Sequence, residues 1–211
     1  MTHSRARRPM RGRTDLSDTT LILVRHAVHG LLGRVLAGRM AGVGLSAEGH
    51  AQAAALADAL AGQAIRAVWT SPLQRAIETA TPIAARHGLV PVIDPALTEV
   101  DFGTWTGQPF DALHGPEWDA WNTNRAMAVP PGGETILAAQ ARAVAVMLRV
   151  AGGGGTVVLV SHQDLLKAML AHVLGTPLDL MRRFDVAPAS RSLITMGAGC
   201  ARVDGLNVLC P

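Results

Sequence analysis

The stretch Thr20-Leu-Ile-Leu-Val-Arg-His26 decides the reading of the fold. Four consecutive apolar residues are followed by two basic ones. An apolar run without polar alternation is the pattern of a strand buried on both faces, as in a parallel sheet covered by helices. Open sheets of that kind bind ligands outside the carboxyl ends of their strands. Arg25 and His26 stand at such an end.

Outward from this strand, β-rich runs alternate with Ala-rich segments of helical periodicity. Ser46 is a suitable N-cap for SAEGHAQAAALADALAG (46–62), with Ala53, Leu56 and Leu60 at helical spacing and Gly62 as a stop. AIRAVWTS (64–71) reads as a second strand. PLQRAIETATPIAARHG (72–88) reads as a helix opened by Pro72 and closed by Gly88, with Ser71 as its cap and Arg75 in its first turn. A further helix is predicted from Gly133-Glu134 to about Val150. The glycines 152–155 then turn into the strand TVVLVSH (156–162). They precede a strand and no Gly-Lys-Ser/Thr follows, so they are a linker rather than a phosphate loop. DLLKAMLAHVLG (164–175) is helical, and SRSLITMG (190–197) and ARVDGLNVL (201–209) read as edge strands, with Asp204-Gly205 a turn between or within them.

The alternation predicts an α/β fold: a three-layer sandwich with a mostly parallel central sheet, helices on both faces and an inserted lid segment at about 102–131. That segment is irregular and holds Trp105, Trp118, Trp121 and Pro130-Pro131. Residues 20–211 are expected to form one domain, a size that fills a single core. Hydrophobic residues make up 49% of the chain and aromatics only 3%, so Ala, Val and Leu must fill the interior.

The formal charge of +3 has a local origin. Residues 1–19 contain five arginines against Asp15 and Asp18, the whole of the excess. This stretch lacks apolar periodicity and is expected to be a disordered basic arm. With the remainder neutral, nucleic acid is not the expected partner. No membrane segment or signal sequence is read, and a cytoplasmic location is expected. Cys200 and Cys210 have no metal-binding or redox spacing and read as reduced thiols.

Three strand-to-helix junctions present basic residues: Arg25-His26, Arg75 and His162. Guanidinium forks and imidazole donors suit the several oxygens of a phosphoryl group. One Arg-His pair carries little weight by itself. The second such pair, Arg86-His87, lies at a helix C-terminus, where it complements the dipole.

Five motifs in order make the chain resemble the histidine phosphatase superfamily, the phosphoglycerate-mutase-like proteins. They are LVRHA (23–27), GLSAEGHAQA (44–53), SPLQRAIETA (71–80), LTEVDFGTWTG (97–107) and VSHQD (160–164), and the resemblance runs from Leu21 to about Met196. It implies a metal-independent phosphomonoester hydrolase with no cofactor, acting on a small phosphorylated metabolite. In that reading His26 is the nucleophile that becomes phosphohistidine, Glu99 is the proton donor, and Arg25, Arg75 and His162 hold the transferring oxygens. Gly38 and Gln163 join Arg25, Arg75 and His162 as substrate-binding residues. A homodimer is left open.

This sequence departs from the family pattern at Ala27, which replaces a Gly, and at Val28, His29 and Leu31, where mutases place polar residues. Gln163-Asp164 stands where two glycines are common, and the long basic insertion of the mutases is missing. Phosphatase activity is therefore preferred. A mutase-like phosphotransferase and a non-catalytic phosphate- or RNA-binding module remain the alternatives. A metal site of His26, His29, His162 and Glu99 is set aside, because neighbouring arginines would repel a cation. His29 is read as lining the pocket mouth or as solvated. Asp101 and Glu134 are read as partners for arginines.

Overall fold

A computed structural model of the chain describes residues 18–197 and 199–210. The arm predicted over 1–19 lies outside them up to residue 17. Its boundary requires correction at Thr19, which is fully buried as the first residue of the first strand. Thr19 is held there because it pairs with Gly155 and Met196, and because its hydroxyl donates to Ala151 O at 2.5 Å.

The elements follow in the order β1 (Thr19–Arg25), α1 (Ala47–Leu60), β2 (Ile65–Thr70), α2 (Gln74–Arg86), β3 (Val92–Ile93), α3 (Pro116–Thr123), α4 (Ile136–Ala151), β4 (Gly155–Ser161), α5 (Gln163–Leu174), β5 (Arg191–Gly197) and β6 (Cys200–Val208). One six-stranded sheet has the order β3-β2-β4-β1-β5-β6. The pairs among β1 to β4 are parallel, while β5 and β6 run antiparallel. The mostly parallel sandwich is thus as expected, with β3 an added two-residue edge.

The period-two geometry of β1 sorts its side chains into two cores. Ile22 and Val24 meet α1 and α2 through Leu56, Leu60 and Ile83. Leu21 and Leu23 meet α4 and α5 through Ala139, Met147, Leu166 and Leu170. Burying a strand on both faces needs the unbroken apolar run that the sequence shows.

Ser46 caps α1 as predicted, accepting from Gly49 N at 3.1 Å. Gly49 itself is packed so tightly that a Cβ would lie 2.0 Å from Val28 O. This close approach docks the start of α1 beneath the loop that leaves His26. Thr135 caps α4 by accepting from Ala138 N at 3.0 Å. Ser71 does not cap α2, whose N-cap is Leu73 without a side-chain bond. The chain between β5 and β6 turns before Cys200, and Asp204-Gly205 lies within β6, beside shifts in register. Both cysteines are free, and Cys200 is exposed.

Residues 102–131 form short helical turns around α3. Trp121 is 1% exposed and belongs to the core, meeting Phe102 edge-to-face at 5.8 Å between ring centroids. The segment is therefore anchored by an indole, and its outer side chains form a wall of the site. Among the described residues, no helix is long and apolar enough to cross a membrane.

Candidate active site

The strand order puts β4 between β2 and β1, so Ser71, His162 and His26 follow one another across the sheet edge. Arg75 comes from the first turn of α2. Glu99 arrives on the loop after the helical turn Pro95–Leu97, which Ser161 ties to β4 by donating from Oγ to Leu97 O at 2.7 Å. Of these, His26, Arg75 and Glu99 line a cavity of about 650 Å³ together with Arg25.

His26 is 4% exposed. Its Nδ1 lies 2.8 Å from Ala27 O, and a carbonyl can only accept, so the ring hydrogen sits on Nδ1. That leaves the lone pair on Nε2, consistent with Arg75 Nε donating to it at 3.3 Å. Burial first, then the charges of Arg75 and Arg25, hold the imidazole well below its ordinary range and keep it neutral. The ring is unprotonated and tautomerically fixed.

The cations around it are only part-satisfied by protein. Arg25 donates to Val186 O at 2.8 Å, and Arg75 donates to Gly38 O at 2.6 Å. The Nε of Arg25, Nη1 of Arg75 and Nδ1 of His162 are buried and make no hydrogen bond among the described residues. His162 is fully buried, with its ring centroid 5.0 Å from that of His26 and its Nε2 2.7 Å from Ser71 Oγ. Buried polar groups left without protein partners are costly, and their clustering is the mark of a ligand site.

Glu99 is 8% exposed, and its Oε1 accepts from Val100 N at 3.0 Å and from Leu165 N at 3.3 Å. Burial and the nearby Asp164 carboxylate push its pKa up to about 7, against the opposing pull of those N–H groups and Arg75. Its backbone is clamped by two arginines. Arg39 donates to Glu99 O at 2.8 Å and Arg142 at 3.2 Å, and both reach Glu134. Arg39 also pairs with Asp101 at 3.1 Å. Asp101 and Glu134 do serve arginines, as expected. The arginines they serve, Arg39 and Arg142, stand in none of the five motifs.

Folding raises the pKa of Glu99 above its ordinary 4.5. Its contribution to stability is therefore complete below about pH 4.5 and is lost as pH rises to about 7. Glu99→Gln is expected to melt above the wild type at pH 8, with the gap closing toward pH 4.5. Calorimetry across that range checks this, and an amide variant no more stable at pH 8 would contradict it.

All seven predicted site residues are accounted for. His26, Arg25, Arg75 and Glu99 line the cavity, and the fully buried His162 has its ring centroid 5.0 Å from that of His26. Gly38 and Gln163 also line the cavity, Gly38 offering its carbonyl to Arg75. His29 lines the cavity, as one of its two expected placements had it, but it is not solvated: it is 5% exposed and lies 5.3 Å from His26 between ring centroids. Its backbone bridge to Leu45 draws it inward, and its Nδ1 accepts from Leu31 N at 3.3 Å. Burial and the two arginines hold it neutral, with a pKa of about 4. The three-residue spacing from His26 was the available signal, but spacing in a loop fixes no direction.

The model of the histidine phosphatase superfamily, branch 1, matches residues 21–209. The chain belongs to the histidine phosphatase superfamily. It is 43% identical over 180 residues to the uncharacterized protein Rv0525 of Mycobacterium tuberculosis, covering 82% of this chain and 88% of that one. It is 29% identical over 198 residues to phosphoserine phosphatase 1 of Hydrogenobacter thermophilus, covering 90% of this chain and 92% of the other. Among solved structures, a mycobacterial glucosyl-3-phosphoglycerate phosphatase superimposes with a TM-score of 0.81 at 27% identity, covering 90% of this chain and 99% of that chain. This histidine phosphatase is accordingly a metal-independent hydrolase.

Proposed function

We propose that this histidine phosphatase hydrolyses a small phosphomonoester through a covalent phosphohistidine on His26. The observation that carries the reading is the state of one atom. Nε2 of a neutral, tautomerically fixed imidazole sits beside buried guanidiniums, each with one nitrogen that has no partner among the described residues.

In the first step the Nε2 lone pair attacks phosphorus in line. The bond from phosphorus to the ester oxygen breaks, and that oxygen takes the proton of Glu99 as it leaves. In the second step the Glu99 carboxylate accepts a proton from water. The hydroxide forms the new P–O bond, the P–N bond breaks, and its electron pair returns to Nε2. Inorganic phosphate is released. Arg25, Arg75 and His162 stabilise the charge on the transferring oxygens, where fixed donors in a water-poor site act most strongly. The N-terminus of α5, which begins at Gln163, adds the favourable end of a helix dipole.

His162 can serve an anion only if Nδ1 carries its hydrogen, and Ser71 supplies that condition. Leu73 N donates to Ser71 Oγ at 3.3 Å, and in this reading the Ser71 hydroxyl gives its hydrogen to Nε2 of His162, 2.7 Å away. The ring is held from the β2 side through Nε2, with its centroid 5.0 Å from that of His26. Ser71 is thus a positioning residue. Ser71→Ala is expected to lower kcat at least about tenfold, since a wrong histidine tautomer is costly in such sites. The ¹⁵N resonances of His162 should move from an Nδ1-protonated form to a mixture. Finding Nε2 protonated in the wild type would overturn this role.

The reading as a whole is tested with a ³²P-labelled phosphomonoester in the presence of EDTA. Label that is acid-labile and alkali-stable, followed by release of inorganic phosphate, is the expected result. Transfer of phosphate between positions of one molecule without release would favour the mutase alternative.

A further inference from the structure

Arg25 closes β1, and among the described residues its buried guanidinium has one acceptor, Val186 O at 2.8 Å. That single bond sets which way the other nitrogens of the guanidinium face. The oxygen of Val186 and the N–H of Ala187 belong to one planar peptide unit, and across a trans bond they point in opposite directions. The N–H side of this unit is held by Asn207, whose Oδ1 accepts from Ala187 N at 2.7 Å. Holding one side of the plane aims the other at Arg25. Turned over, the same peptide would present an N–H to the guanidinium, donor against donor, and leave Arg25 without its acceptor.

Asn207 comes to this place through an irregularity in β6. Arg191 pairs with Val208 and Leu193 with Gly205, so Leu206 and Asn207 together face the single Ser192. Such a bulge re-aims a side chain. Asn207 has φ +52°, a left-handed conformation that asparagine adopts more readily than most residues, and its N–H donates to Ser192 Oγ at 3.1 Å. The loop it holds runs beside the catalytic strand: Ala189 N donates to Arg25 O at 3.2 Å, and Pro188 lines the cavity.

We propose that Asn207 is a positioning residue, acting on the phosphoryl group through the Val186–Ala187 peptide and Arg25. This role rests on the phosphatase reading above. Asn207 stands two strands from Arg25 in the sheet, outside all five sequence motifs.

A double-mutant cycle tests it, read both as kcat/KM for p-nitrophenyl phosphate and as the Kd of inorganic phosphate. Asn207→Gly removes the acceptor while keeping the backbone conformation accessible. It is expected to lower kcat/KM by about ten- to a hundredfold, the scale of a misplaced binding group. Phosphate should bind about tenfold more weakly, the effect of disturbing one charge-assisted hydrogen bond. In an Arg25→Ala background the same substitution should cost no more than about twofold, because effects routed through one residue are not additive. A merely structural role would carry the full factor into both backgrounds. Asn207→Asp keeps an acceptor at the same place and should recover most of the loss. If Asn207→Gly fails to fold, Asn207→Ala replaces it, since alanine already holds φ +55° at position 189. Equal losses with and without Arg25, or no recovery in Asn207→Asp, overturn the inference and leave the phosphatase reading standing. A wild type that hydrolysed no ester would remove that reading, and the cycle in phosphate Kd would still decide the role of Asn207.

Discussion

His26→Ala is expected to abolish both turnover and covalent labelling, with kcat/KM for p-nitrophenyl phosphate falling on the order of 10⁴-fold or more. The magnitude follows from the role. In the proposed reaction Arg25, Arg75 and His162 stabilise charge on a phosphoryl group in flight, but none would supply an uncharged lone pair in line with phosphorus. The guanidiniums are cationic, and His162 is engaged by Ser71. Among the described residues His29 is the one neighbouring imidazole on the cavity wall, 5.3 Å away between centroids, and its Nδ1 accepts from Leu31 N–H. Its remaining nitrogen therefore carries hydrogen and cannot attack as it stands. The variant should still bind inorganic phosphate, since its anion-binding nitrogens are retained, and equilibrium binding separates this from misfolding. Acid-labile label persisting in the variant would falsify His26 as the nucleophile.

The sequence made the centre of the molecule legible and left its supports obscure, for a physical reason. β1 announces itself because double burial forbids polar alternation, and its end is then a fixed address for Arg25 and His26. His162 follows from the same logic, one residue beyond β4, and Arg75 stands in the first turn of the helix after β2. Side chains that act across the fold leave no such trace. Arg39 and Arg142 hold Glu99 through its backbone carbonyl, a contact 60 residues away in one case and 43 in the other. No local period encodes that. Ser71 misled because serine before a helix ordinarily caps it, whereas here an imidazole on the neighbouring strand takes the hydroxyl. Arg125, Lys167 and Arg182 line the cavity from the α3–α4 connection, α5 and the turn Leu178–Arg183. Only the fold makes them one surface.

Glu99→Gln should separate the two chemical steps, because the same carboxyl is required protonated in one and ionised in the other. At a pKa of about 7 both forms are populated near neutrality. For an alkyl phosphate, whose leaving oxygen is strongly basic, the wild-type kcat/KM is expected to fall as pH rises above about 7, as the acid form is lost. That limb lies above the substrate's own second ionisation near ~6, so the two can be told apart. For p-nitrophenyl phosphate the leaving group departs without a proton, and the limb should flatten. The amide holds the same place but neither gives nor takes a proton. With alkyl phosphates it should lower kcat/KM by about 10²- to 10⁴-fold, the range general acid catalysis supplies. With the aryl ester it should still phosphorylate His26 and then stall, showing a burst of nitrophenol and an accumulated phosphoenzyme, because no carboxylate remains to activate water. A variant that loses aryl and alkyl turnover equally, with no phosphoenzyme, would show Glu99 acting on phosphorylation through charge or position rather than as a proton carrier. The buried setting that raises its pKa is therefore a stability cost above pH 7, and the proposed chemistry gives a reason to retain it: a carboxyl that can exist in both states.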